Sequence, residues 1–357
     1  MSQANIPEKN IRWINYMRAV CIIAIYYIHA QEFFGYTVAG LAKYILPFYV
    51  NAFFFASGYL FFRKHIQAIE RGTLHAEQKR FLTNLLFRMV IASVIFAVIE
   101  YIPSNIMQHR SFSVSSFVEK TIWGNTFWFI SALLVAELLL YILIHSRIVN
   151  MWFYLLFGMI FFAAGWLVAD RGILVVSGFE SNPWQFEKGL MAILFLVLGG
   201  IYWKHEEKID CIIKKPYVFL VILAVYILVL MLFSSHIHVL ISINSINLAG
   251  VAVSSLSICI LLVLCKAIRR TNIFTEQLNR IGKHTIGFYF VCGAIPKVLM
   301  VILPKILPEG NALYMLFGFA LSFLLAYIVV FFMERFLPFL FDLRRGITWK
   351  KPGDQVQ

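Results

Sequence analysis

Arg18 stands in a run, Trp13 to Ile28, that is otherwise apolar except for Asn15, and His29 follows that run directly in RWINYMRAVCIIAIYYIHAQE. At 100° per residue the 11-residue step between them leaves a helix rotated by only about 20°, so both share one face about 16 Å apart. Ionisable groups at membrane depth usually face a polar cavity and mark a pathway or a site. The plain structural alternative is an arginine reaching the headgroups and a histidine at the opposite interface. A histidine, with an unperturbed pKa of about 6.5, is largely neutral near pH 7 and can serve as a general base or as a nucleophile. Glu32, one turn further on, can hold the ring. Glu137, a carboxylate in another apolar run, can hold it as well or can pair with Arg18.

The elements that must position these groups are membrane helices. The chain has 357 residues, 61% of them hydrophobic and 14% charged, and a mean hydropathy of +0.80. A soluble globule carries roughly a quarter charged residues, so that class is excluded. Apolar runs of membrane-spanning length lie at 13–30, 44–62, 86–106, 126–145, 149–169, 185–203, 217–235, 245–265, 284–302 and 312–334. The expected fold is an all-α integral membrane protein of about ten transmembrane helices with both termini cytoplasmic. Of the 31 lysines and arginines, 23 then fall inside, 7 outside and Arg18 within the membrane, the asymmetry that sets orientation. The net charge of +13 is therefore a topology signal, and nucleic acid is not an expected partner. The first apolar segment is read as a retained helix rather than a cleaved signal. Residues 1–11 and 336–357 are read as cytoplasmic tails and 12–335 as one membrane domain. The connection from Arg63 to about Leu85 is polar but helix-compatible.

The five cysteines make neither a disulfide framework nor a metal spacing. His65, His75, His145 and His205 fall in or beside junctions and are read as solvated. His236 and His238 lie two apart in a loop, too few ligands for a metal site. Asn244, Ser245 and Asn247 can hydrogen-bond a sugar or one another.

The second helix carries FYVNAFFFASGYLFFRK, in which Ser57 and Gly58 are small enough for close helix contact. An arginine and a histidine separated by ten residues, followed by this FF-x-x-SGY element and a basic loop, resemble the acyltransferase 3 family of multi-pass membrane acyltransferases. FWFISALLVAELL, with Trp128 and Glu137, resembles the family's fourth segment, notably in fucose O-acetylase-like members. FEKGLMAILFLVLGGIYWK and IGKHTIGFYF resemble two later segments. The resemblance spans roughly residues 10–335. It departs at one place: many members carry a histidine a few residues past the tyrosine, whereas Tyr289 is followed by Phe290, Val291 and Cys292. The acceptor then differs, or the place is filled another way.

The resemblance implies O-acylation, most simply O-acetylation, of a cell-surface polysaccharide or lipid-linked glycan, with acyl-CoA from the cytoplasm as donor substrate and no permanently bound cofactor or metal. It makes His29, Arg18, Glu32 and Glu137 the candidate catalytic residues. Arg18, Lys79, Arg80 and Arg88 are candidates for holding coenzyme A, since arginine makes bidentate contacts to phosphate, although Lys79, Arg80 and Arg88 also suit topology alone. Ser57, Tyr59, Trp128 and Tyr289 are candidate substrate-binding residues. No hydrolase-like domain is expected beside the membrane unit, so transfer is completed there or with a partner, a second copy or a glycan-assembly protein. The expected location is a bacterial cytoplasmic membrane, among membrane lipid. A transporter of a glycan or small solute, lined by the same polar residues, is the alternative of a different class.

Overall fold

Glycines set where the helices meet. A Cβ at Gly58 would lie 1.9 Å from the Leu196 carbonyl oxygen, and one at Gly199 would lie 2.0 Å from that of Phe55. Such positions let two helix backbones touch, which is how membrane helices gain packing when water supplies no driving force between them. The helices concerned are α3 (Asn51–Glu70) and α9 (Phe186–Lys204), the most extensively packed pair in the molecule. In the same way Gly282 sits on the backbone of Asn15.

The computed structural model describes residues 12–36, 42–45, 47–107, 112–172, 182–232 and 248–345. His236, His238, Asn244, Ser245 and Asn247 and the two terminal segments lie outside the described residues. Among the described residues the chain is helical without strands. Besides α3 and α9, the chain runs through α1 (Arg12–Phe34), α2 (Ala42–Ile45), α4 (Leu74–Asn84), α5 (Ile91–Met107), α6 (Val114–Thr121), α7 (Trp128–Ile144) and α8 (Met151–Arg171). It continues through α10 (Glu206–Ile213), α11 (Pro216–Leu232), α12 (Leu248–Ala267), α13 (Ile273–Lys283), α14 (Thr285–Val291), α15 (Ala294–Ile302) and α16 (Ala312–Phe336).

Each of the ten apolar runs read from the sequence falls mainly on helix where its residues are described. Among the described residues five helical segments are long and apolar enough to cross a membrane, and seven if each of two bent pairs is one span. The bends lie between α10 and α11 (81°) and between α14 and α15 (42°). The shortfall from ten has a physical cause. α1 and α3 carry Arg18, His29, Glu32, Asn51 and Lys64, which lower their hydropathy, and α7 has only 17 residues.

α1 is central: it packs on α3, α12, α13, α14, α15 and α16. Its buried polar groups are satisfied across those contacts, as they must be away from water. Asn15 donates to Asn279 at 2.8 Å and the Tyr26 hydroxyl to the Phe288 carbonyl at 2.9 Å. At the end of α3 the chain turns at Gly72, φ +70°, a left-handed conformation that suits glycine, and returns as α4. That helix runs into α5 through a π-helical segment, Leu85–Val90, a register change that recurs at functional sites.

Candidate active site

α1, α3, the α4–π segment, α7 and the α13–α14 junction enclose a cavity of about 390 Å³, within the range of about 300–1,000 Å³ usual for small-molecule sites. α3 supplies a stripe: Ser57, Phe61 and Lys64 all line it, because steps of four and three residues return to one helix face. The π segment turns Leu85, Arg88 and Met89 toward the same space. α7 contributes Phe129, Leu133 and Glu137, and α13 and α14 contribute Lys283, Thr285 and Tyr289. A capping box between Asn272 and Thr275 fixes the start of α13.

The charges are arranged by depth. Lys64, Arg88 and Lys283 are partly or well exposed and stand at one mouth. Lys64 pairs with Glu77. Arg88 Nε lies 3.8 Å from Asp342 Oδ2, and Asp342 is itself gripped by Arg344, whose hydrogen bonds hold the Asp342 carboxyl below its usual range. Arg344 also donates to Asn84 Oδ1 at 2.8 Å, so the segment after α16 braces the mouth from outside. Farther in, Arg18 and Glu137 share the cavity and attract one another, yet neither makes a direct ion pair or hydrogen bond among the described residues. The walls between are apolar, Phe53, Leu60 and Ile130 among them.

His29 and Glu32 do not line this cavity. His29 Nδ1 lies 3.0 Å from Glu32 Oε2. An ionised carboxylate only accepts, so Nδ1 carries a proton, and in the neutral ring the other nitrogen, Nε2, keeps its lone pair. The histidine is about one-third exposed and the glutamate more so. The link to the cavity is α14: Tyr289 lines the cavity, its hydroxyl accepting from the Phe129 N–H at 3.2 Å, and Cys292, three residues on, lies beside His29. The bend after Cys292 faces an ion pair of Lys297 with Glu100.

Of the candidate residues, Arg18, Ser57, Arg88, Glu137 and Tyr289 come together in the cavity, and His29 with Glu32 forms a pair beyond it. Lys79 and Arg80 are exposed on α4. Tyr59 turns to the other side of α3, donating to Glu206 at 2.6 Å in a cluster where Lys266 bonds Glu206 and Asp210. Trp128 lies under Lys188, whose Nζ is 5.0 Å from the ring centre. His65, read from the sequence as solvated, is fully buried, because α3 continues as helix to Glu70 and packs His65 against Phe81. Lys64 and Lys283 were signalled by spacing. Lys64 lies seven residues after Ser57 on the same face, and Lys283 is the lysine of IGKHTIGFYF.

A family model described as an acyltransferase domain, acyltransferase 3, matches residues 11–331. The chain belongs to the acyltransferase 3 family. No curated protein and no solved structure matches it significantly. As an acyltransferase 3 protein it is a membrane acyltransferase, and its several long apolar helices agree with an integral membrane protein. The cavity and the His29–Glu32 pair both lie within the matched residues.

Proposed function

We propose that this protein transfers an acyl group, acetyl foremost, from cytoplasmic acyl-CoA to a hydroxyl of a cell-surface polysaccharide or lipid-linked glycan, in a bacterial cytoplasmic membrane. The observation that carries the reading is the graded cavity, with three cations at its mouth, apolar walls, and Arg18 and Tyr289 in the direction of His29. The mouth faces the cytoplasm. Lys64, Arg88 and Lys283 hold the donor's phosphates, in contacts roughly twice as strong as neutral ones. The apolar walls take the arm, and the acyl end points along α14 toward His29.

At His29 the acceptor hydroxyl gives its proton to Nε2 while its oxygen attacks the thioester carbonyl. The carbon–sulfur bond breaks, and coenzyme A leaves as a thiolate that recovers the proton from the imidazolium. Glu32 keeps Nδ1–H in place and stabilises the ring while it is charged. In an acyl-histidine route the same lone pair attacks the thioester first and coenzyme A leaves as a thiolate. The hydroxyl then takes the acyl group, the carbon–nitrogen bond to Nε2 breaks, and the hydroxyl proton goes to that thiolate. Arg18 stands where a donor phosphate or carbonyl passes.

The testing experiment is transfer of isotope-labelled acetyl from acetyl-CoA into a glycan ester by the purified protein. Labelled ester supports the reading. Movement of glycan or solute without ester formation would replace it with the transporter.

A further inference from the structure

His65 lines the donor cavity and is fully buried, yet nothing in the mechanism uses it. Its Nδ1 lies 2.9 Å from the Phe61 carbonyl oxygen. That oxygen only accepts, so Nδ1 carries the ring proton and Nε2 presents a lone pair. Among the described residues Nε2 has no hydrogen-bond partner. The ring is also fixed in place, stacked on Phe61 at 4.2 Å and met edge-on by Phe81 at 5.2 Å, and both phenylalanines line the same cavity. Buried polar atoms nearly always have partners, so one without, on a residue that lines a cavity, calls for one.

We propose that His65 Nε2 accepts a hydrogen bond from a hydroxyl or amide N–H of the uncharged arm of the acyl-CoA donor. The proposal rests on the acyl-CoA reading above. A lone pair repels phosphate oxygens, and an acyl thioester offers no N–H or O–H, so neither end of the donor suits this position. The arm does. Its hydroxyl and first amide follow directly on the diphosphate, just as His65 follows directly on Lys64, one of the mouth cations. The adenine amino group is a donor too, but a flat base needs a slot between faces, and here Phe61 and His65 already stack on each other.

The experiment measures binding of coenzyme A and of adenosine 3′,5′-bisphosphate, which has the nucleotide and lacks the arm, to the purified full chain. His65→Phe keeps the stacking and removes the acceptor. Coenzyme A is expected to bind it about three- to tenfold more weakly, the loss of one hydrogen bond, with the bisphosphate within about twofold of wild type. The ligand-free variant should melt at or above the wild-type temperature, because an unpartnered buried atom has been removed. His65→Gln, whose amide oxygen reaches the Nε2 position, should restore coenzyme A affinity, and His65→Asn, which reaches only the Nδ1 position, should not. The asparagine and glutamine pair decides the matter should the phenylalanine variant fail to fold. Unchanged coenzyme A affinity in His65→Phe and His65→Asn, or equal weakening of both ligands, would overturn the proposal and leave the acyl-CoA reading standing. If wild type binds neither ligand, both readings fall together.

Discussion

At the scale of single residues, the proposed chemistry rests on His29 and Glu32. Their 3.0 Å contact does not create the base; it fixes which nitrogen holds the proton and steadies the ring when charged. Glu32→Gln is therefore expected to lower the transfer rate by about tenfold or more, part of the roughly 10²–10⁴-fold that general acid–base catalysis contributes, while leaving donor affinity unchanged. Steady-state kinetics paired with coenzyme A binding check this, and a loss confined to binding would place Glu32 outside the chemistry. Much of this scale was legible in the sequence. Arg18 and Glu137 stood out because ionisable residues in apolar helices are costly and so conspicuous, and Ser57 and Tyr289 through the SGY and IGKHTIGFYF motifs. His65 was missed for the opposite reason: it follows two basic residues, Arg63 and Lys64, which read as a helix that has left the membrane. Only the packing of α3 on Phe81 reveals that it is buried.

At the scale of elements, the site depends on how closely α3 approaches α9. α3 carries Ser57, Phe61, Lys64 and His65 on the cavity side while Gly58 lies against Leu196 on the other. A methyl group at Gly58 has no room, since its nearest neighbours are backbone atoms of Leu196. Gly58→Ala should thus push α3 toward the cavity. The expected cost is about 1–3 kcal/mol, the usual penalty for overpacking, seen as a lowered melting temperature in detergent together with weaker coenzyme A binding. An unchanged melting temperature would mean that the two helices separate freely. The small residues of this contact were readable from the SGY and GG motifs. The π segment was not, because a register change carries no residue signature, and it is this segment that turns Arg88 to the mouth.

At the scale of the whole molecule, the proposed function has the donor drawn in by the charge at one end and used at the other. The basic residues were read first as topology signals, and composition alone could not separate that role from ligand binding. The fold separates them: Lys64, Arg88 and Lys283 converge on the cavity mouth, whereas Lys79 and Arg80 remain on the outer face of α4. Replacing the three mouth cations by glutamine should weaken coenzyme A binding by at least about tenfold and flatten its salt dependence. The same change at Lys79 and Arg80 should do neither, and the reverse pattern would move the donor site elsewhere. The central claim, acyl transfer at the end of α1, is tested most directly by ester-linked acetate on the host's surface glycans. The measurement uses cells lacking this protein, complemented with wild type or with His29→Ala at matched membrane levels. The account predicts that wild type restores the acetate and His29→Ala does not. Restoration by both would contradict it.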